Sequence, residues 1–456
     1  MSAMEHRRSS IAWTAALLGA TLLLCAIALG NGGPILYPDT LAYVVDGDRL
    51  AHLQVPYAVR PIYYGVALWP FHAVGYGLAI AVQAAIVAHL LLLTLRATGA
   101  APTPLTFLAA TLALVVLTPV TWHVAHLLPD IFTAVLILAL FLLGFCRDIL
   151  RRWERWYLLL LATVSATLHV TMWPIGAALV VLAILARFTP FRWSAHPVSM
   201  AIPVALAFAG SLAGSYAIFQ RVTLTPNSPP HFLARLLADG PARDYLRATC
   251  PASGLELCTY LDTLPSTEDG FIWRMLPALP VASGKQIKAE AGQVVAGTIA
   301  MFPLQVAGHM LVNGARQLVT FQSETQLSPE EWHGAITEGP PAARALAASL
   351  AGTPQAHGAF DRPALDMVNA VHAAIALLCL PAAVVLFVLT LRRRVFRPAA
   401  LLATVGTGLL ANGFISGAFG GVFGRYEGRV IWLLPFAVLA AALALRRSSQ
   451  LDPRET

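Results

Sequence analysis

The chain has 456 residues, of which 57% are apolar and only 12% charged, against about 25% charged in a soluble domain. This excludes an ordinary water-soluble protein and leaves an integral membrane protein. The formal charge of +7 does not imply a nucleic-acid partner, because it comes almost wholly from arginine, with Lys285 and Lys288 the only lysines. Those arginines fall in short clusters between apolar runs, the pattern of cytoplasmic loops.

In chain order, about ten transmembrane helices are expected, near 11–30, 66–95, 104–120, 130–146, 157–170, 174–187, 198–219, 366–391, 398–416 and 430–446. Several of these runs have only 14–17 residues, at or below spanning length, so tilting or merged pairs are allowed for. The first run follows His6, Arg7 and Arg8, is long for a signal-peptide core and lacks a small-residue cleavage site, so it reads as an uncleaved anchor. Arginines at 7–8, 96, 147–155, 187–192, 392–397 and 446–447 all fall on one side, which predicts cytoplasmic termini. The fold class is thus all-α integral membrane with a large extracytoplasmic loop. It divides into an N-terminal transmembrane module (1–219) carrying the first outer loop (31–61), an extracytoplasmic region (220–365) and a C-terminal transmembrane module (366–456).

In the first outer loop, Pro38 stands where a helix begins and Asp39 lies in its first turn. The positive end of the helix dipole favours an ionised carboxylate there. Tyr43 and Asp46 follow at spacings of four and seven, which can share one helical face, and Arg60-Pro61 closes the segment. A carboxylate held at the membrane surface suits base-assisted reaction on a lipid-linked substrate; equally, Pro-Asp is a common helix start. A second such pair, Pro129-Asp130, opens a later helix on the same face, with His123 and His126 before it. Two carboxylates on one face can bind a divalent cation or divide base and orienting roles; as plain helix starts they would only complement two dipoles. Arg425 and Arg429, four apart before the last span, are neighbours on a helix, and Tyr426 lies between them. Paired guanidiniums suit bidentate phosphate binding, with headgroup anchoring as the alternative.

The long loop reads as irregular over 224–274, with a helical piece at 232–238, and as helices lying on or near the membrane over 285–321. Cys250 and Cys258, eight apart, permit a disulfide on an oxidising face; a metal site there lacks further cysteines nearby. No phosphate loop or zinc-ligand spacing occurs in the chain.

The residues Tyr37-Pro38-Asp39-Thr40, Arg60-Pro61, Leu128-Pro129-Asp130 and Arg425-Tyr426 together resemble the GT-C superfamily of integral-membrane glycosyltransferases, which includes protein O-mannosyltransferases and enzymes that transfer aminoarabinose to lipid A. The resemblance covers the multispan layout over most of the chain and no motif in the long loop. It implies transfer of a sugar, with inversion, from a polyprenyl-phosphate carrier to a lipid, glycan or protein acceptor outside the cytoplasm, at the inner membrane. Asp39 would be the general base and Asp130 would position acceptor or donor. Arg425 and Arg429 would neutralise the departing phosphate, with Tyr43, Arg60, His126 and Tyr426 lining the site. Many relatives carry Asp-Glu where this chain has Asp39-Thr40, which leaves dependence on a divalent cation open. A surface-polysaccharide polymerase or ligase would share the multispan layout and outer arginines. A transporter or flippase would need polar groups along the bilayer, and few charges lie at the span centres.

Overall fold

The structure, a computed structural model, describes residues 3–57, 60–189, 194–224, 228–324, 327–360 and 362–451. Among the described residues it is all-helical, with a single isolated bridge between Ile35 and His126. Among the described residues, five helices are long and apolar enough to cross a membrane: Tyr76–Ala97, Pro197–Phe219, Leu365–Arg392, Phe396–Phe419 and Gly424–Gln450. The pair Val281–Met301 and Pro303–Val319, bent by 103°, makes a sixth if it counts as one broken span.

The expected ten spans are therefore reduced to five or six. Four of the expected runs fold as helices of 10–17 residues: Ser10–Leu24, Pro104–Leu117, Ile131–Phe145 and Met172–Arg187. At about 1.5 Å per residue the last three reach no more than about 25 Å, short of a hydrocarbon core about 30 Å thick, whereas Ser10–Leu24 is the apolar part of the longer Ala3–Leu24 helix. An apolar run is not always one helix. The run at 66–95 breaks at Pro70 and at Gly75, which takes φ +96°, so that Ile62–Leu68 and Tyr76–Ala97 are separate. The helices expected at 285–321 form the sharply bent pair, kinked where Pro303 cannot continue the preceding helix. Its second half packs so tightly on Phe396–Phe419 that a Cβ at Gly417 would meet the Asn313 carbonyl at 2.4 Å.

Two hydrophobic cores result. The larger joins the apolar helices of both transmembrane modules. The smaller lies within the long loop, where Leu233, Leu237, Leu246, Leu257 and Phe271 pack against Ile287 and Val294 of the Val281–Met301 helix. A Cys250–Cys258 disulfide lies at the edge of this second core. The expected helical piece at 232–238 is part of the Ser228–Asp239 helix.

The first outer loop is held by the rest of the fold. Ile35 pairs with the segment before Asp130, its N–H donating to the Ala125 carbonyl at 2.9 Å while Leu127 N–H donates to the Ile35 carbonyl at 3.0 Å. The Gln355 side chain clamps Leu36 from the far end of the long loop, accepting from its N–H at 2.9 Å and donating to its carbonyl at 2.7 Å. Pro38–Ala51 begins with Pro38 at its first position, as expected, and Thr40 Oγ1 accepts from the Tyr37 N–H and donates to the Leu127 carbonyl.

Arg60 is brought back to this helix start by two glycines. A Cβ at Gly65 would meet the Tyr43 carbonyl at 2.3 Å, and one at Gly47 would meet the Gly65 carbonyl at 2.3 Å. The helices Pro38–Ala51 and Ile62–Leu68 therefore touch through backbone. Gly65→Ala should destabilise the protein by about 1–3 kcal/mol, the usual cost of overpacking, and should shift Arg60 from its place. Thermal unfolding in detergent checks this, and a wild-type midpoint would show that the two helices can part without cost.

Candidate functional site

Five charged side chains from four parts of the chain form one alternating row. Asp39 Oδ1 accepts from Arg60 Nη2 at 2.5 Å and from Nε at 3.0 Å, while its Oδ2 accepts from Arg425 Nη2 at 2.7 Å. Arg425 Nη1 lies 3.7 Å from Asp130 Oδ2, and Asp130 Oδ1 accepts from Arg429 Nη1 at 2.9 Å. Three arginines and two aspartates leave one excess positive charge. Burial by itself would push the Asp39 carboxyl up, but the guanidiniums of Arg60 and Arg425 and their hydrogen bonds hold it down to about 2.

Gln317 holds the approach to the last helix, accepting from Phe423 N–H and donating to its carbonyl, both at 2.9 Å. The Gln322 N–H donates to the Gly424 carbonyl at 3.0 Å, and Gly424 and Gly428 leave room for Gln322 and His123. Gly424–Ile431 thus starts against the Asp39 helix. The Arg425 guanidinium lies 4.2 Å from the Tyr37 ring centre and 5.1 Å from that of Tyr426, contacts that favour a cation over an aromatic face.

Two cavities meet at this row. A polar one of about 420 Å³ is lined by Asp39, Arg60 and Arg425, by the rings of Tyr37, Trp273, Phe423 and Tyr426, and by Glu268, Asp269, Arg274 and Glu331. An apolar one of about 480 Å³ runs between Val295 of the bent pair and Ile415 and Phe419 of the Phe396–Phe419 span, with Pro61, Val170 and Phe232. Arg60, His231, Glu268 and Tyr426 line both.

Compared with known proteins, this chain matches no family model, no curated protein and no solved structure. The chemistry of the side chains is what distinguishes their roles.

Of the residues expected at the site, Asp39, Arg60, Arg425 and Tyr426 line the polar cavity, and Arg60 and Tyr426 line the apolar one as well. Tyr43, His126, Asp130 and Arg429 line neither. Tyr43 is buried with its ring edge-on to Tyr64, and His126 is buried beside His123 and Tyr37. Arg429 was expected to take phosphate, and here the structure corrects the sequence. Its side chain is 0% exposed, and all three guanidinium nitrogens donate: to Asp130, to Asn412 twice, to Thr171 and to Ser416. It is a strut that anchors Asp130. The second cation facing the cavity is Arg60, whose side chain is 18% exposed against 9% for Arg425.

Arg425 stands between the two carboxylates and pairs with both. Among the described residues no group of three or more His, Cys, Asp or Glu side chains is arranged to hold a metal ion. Tyr37, His231, Glu268, Asp269, Trp273 and Arg274 are site residues that sequence reasoning missed. Tyr37 stood within the motif, but its place in the site depends on its partner Arg425. The others come from the long loop, where no local pattern marks them.

Proposed function

We propose that this chain is an inner-membrane glycosyltransferase that moves a sugar from a polyprenyl-phosphate carrier to an acceptor on the extracytoplasmic face. The observation that carries the reading is the junction of the two cavities. An apolar cavity walled by a membrane-length helix opens, through shared residues, onto a polar one where two arginines converge on a single carboxylate. An isoprenoid chain fits the first, a phosphate the arginines, and a sugar the second, where aromatic rings alternate with carboxylates and guanidiniums.

The mechanism follows from charge. Before the donor binds, Asp39 holds Arg60 and Arg425 together and neutralises one of them. A donor phosphate competes for the same guanidinium forks, which match its oxygens as well as a carboxylate's. As the bond from the anomeric carbon to the phosphate oxygen breaks, the phosphate gains negative charge, and fixed cations beside it stabilise the transition state more than the ground state. The row needs no rearrangement beyond its own arginines. Arg429 and Asp130 stay fixed and keep Arg425 in place.

The test is direct. Purified protein in detergent is given polyprenyl phosphates carrying hexoses or pentoses, and release of C55 polyprenyl phosphate is measured with Arg60→Ala and Arg425→Ala alongside. Wild-type turnover that falls at least 100-fold in both variants is expected. Turnover only from a lipid diphosphate glycan would make the protein a polysaccharide polymerase or ligase instead.

A further inference from the structure

The transfer needs a group to take the acceptor's proton, and Asp39 is poorly placed to be it. Both of its oxygens are occupied by guanidiniums, at 2.5 and 2.7 Å. A carboxylate held down to about 2 is also a weak base, since proton transfer is most efficient when the catalytic group titrates near the working pH.

Across the polar cavity stands a different carboxylate. We infer that Glu268, on the long loop, is the general base that removes the proton from the acceptor hydroxyl in the reaction proposed above. Among the described residues it is the one carboxylate that lines both cavities, so it stands at the junction where the anomeric carbon of a donor threaded through them would lie. Its side chain is 15% exposed. Among the described residues its one ion-pair partner is Arg235, whose Nη1 donates to Oε2 at 3.2 Å. The stronger claim on Arg235 is made by Asp239, which accepts from Nε at 3.0 Å and from Nη2 as well. Glu268 is therefore oriented by an arginine that another carboxylate already neutralises.

The surroundings fit this role. Burial pushes the Glu268 carboxyl up to about 7, against the pull of Arg235 and with repulsion from Asp269 and Asp239. His231, on the same helix as Arg235, also lines both cavities, and burial and nearby Arg60 push its imidazole down to about 4. Arg274, Arg60, Arg425 and Asp39 face the same space from the other walls. The step balances simply. The acceptor proton passes to a Glu268 oxygen, the acceptor oxygen bonds to the anomeric carbon, and the bond from that carbon to phosphate breaks with its electron pair leaving on the phosphate.

This inference rests on the glycosyltransferase reading, and the test separates the two. With the donor set named above, kcat/KM of the wild-type protein should rise with pH through an apparent pKa near 7, because the base must be unprotonated. Glu268→Gln should lose about 10²- to 10⁴-fold in kcat, leave the KM for donor nearly unchanged and flatten that acid limb. Retained binding of C55 polyprenyl phosphate shows that the variant is folded. A wild-type profile flat from pH 5 to 9 overturns the assignment without any variant. So does an active Glu268→Gln protein, or one that keeps the acid limb. A wild-type protein inert toward every donor, lipid diphosphate glycans included, would instead overturn the glycosyltransferase reading and this inference with it.

Discussion

Arg429→Ala should cost the folded protein about 3–5 kcal/mol, the penalty of leaving a buried charge without its partner. Arg429 is fully buried, and its removal takes the closest donor from Asp130 and two donors from Asn412. Asp130 would be left with Arg425 at 3.7 Å, an arginine already engaged with Asp39 at 2.7 Å. Arg429→Lys keeps the charge but reaches only part of this set, since an ammonium cannot present the planar fork that spans Asp130, Asn412 and Thr171. It should fall between alanine and wild type. Thermal unfolding of the purified proteins in detergent orders the three. An alanine variant as stable as wild type would return Arg429 to the phosphate-binding role that its spacing suggested.

Asp39→Asn should lose about 3 kcal/mol, the low end of the cost of breaking a buried pair because asparagine keeps one acceptor. From sequence, Asp39 is a helix-start residue that asparagine should replace with little loss. In the fold it makes no capping hydrogen bond and holds two arginines instead. Its carboxyl is held down to about 2 from an ordinary 3.8, so the stability it contributes is complete above about pH 4. That contribution disappears as the pH falls from about 4 toward 2 and amounts to about 2 kcal/mol at about 1.4 kcal/mol per pKa unit. The variant should therefore be less stable than wild type at neutral pH, and the gap should close in acid. C55 polyprenyl phosphate should restore part of the loss, since its phosphate can take over the freed guanidiniums. A gap that stays constant from pH 6 to pH 3 would mean that the carboxylate charge is not what the arginines require. Turnover lost in Asp39→Asn but intact in Glu268→Gln would make Asp39 the base.

Much of the site was legible because its parts sit at chain positions with strong local rules. Proline-aspartate pairs announced both helix starts, with Pro38 in the first position of its helix and Asp130 as the cap before Ile131, and a four-residue spacing announced Arg425 and Arg429. What spacing could not tell was which of two neighbouring arginines faces a cavity and which is sealed behind it. That depends on the helix's rotation against Asn412, Ser416 and Thr171, contributed by two other segments. The count of spans failed for a related reason. Hydropathy measures how apolar a run is, whereas a break at Gly75 or Cys25 is a matter of backbone geometry and packing.

The sequence by itself determined that the chain is helical and enters a membrane, because 57% apolar residues in long runs have no other way to satisfy their backbone in lipid. It also determined which polar segments stand at the ends of those runs. Only the tertiary structure decided that Asp39, Arg60 and Arg425 are partners, because they lie 21 and 386 residues apart. It alone brought Glu268 and Trp273 from an unmarked loop to the same cavity. Ion pairs and cavity walls are made between segments, and a pattern confined to one segment carries no record of what folds against it.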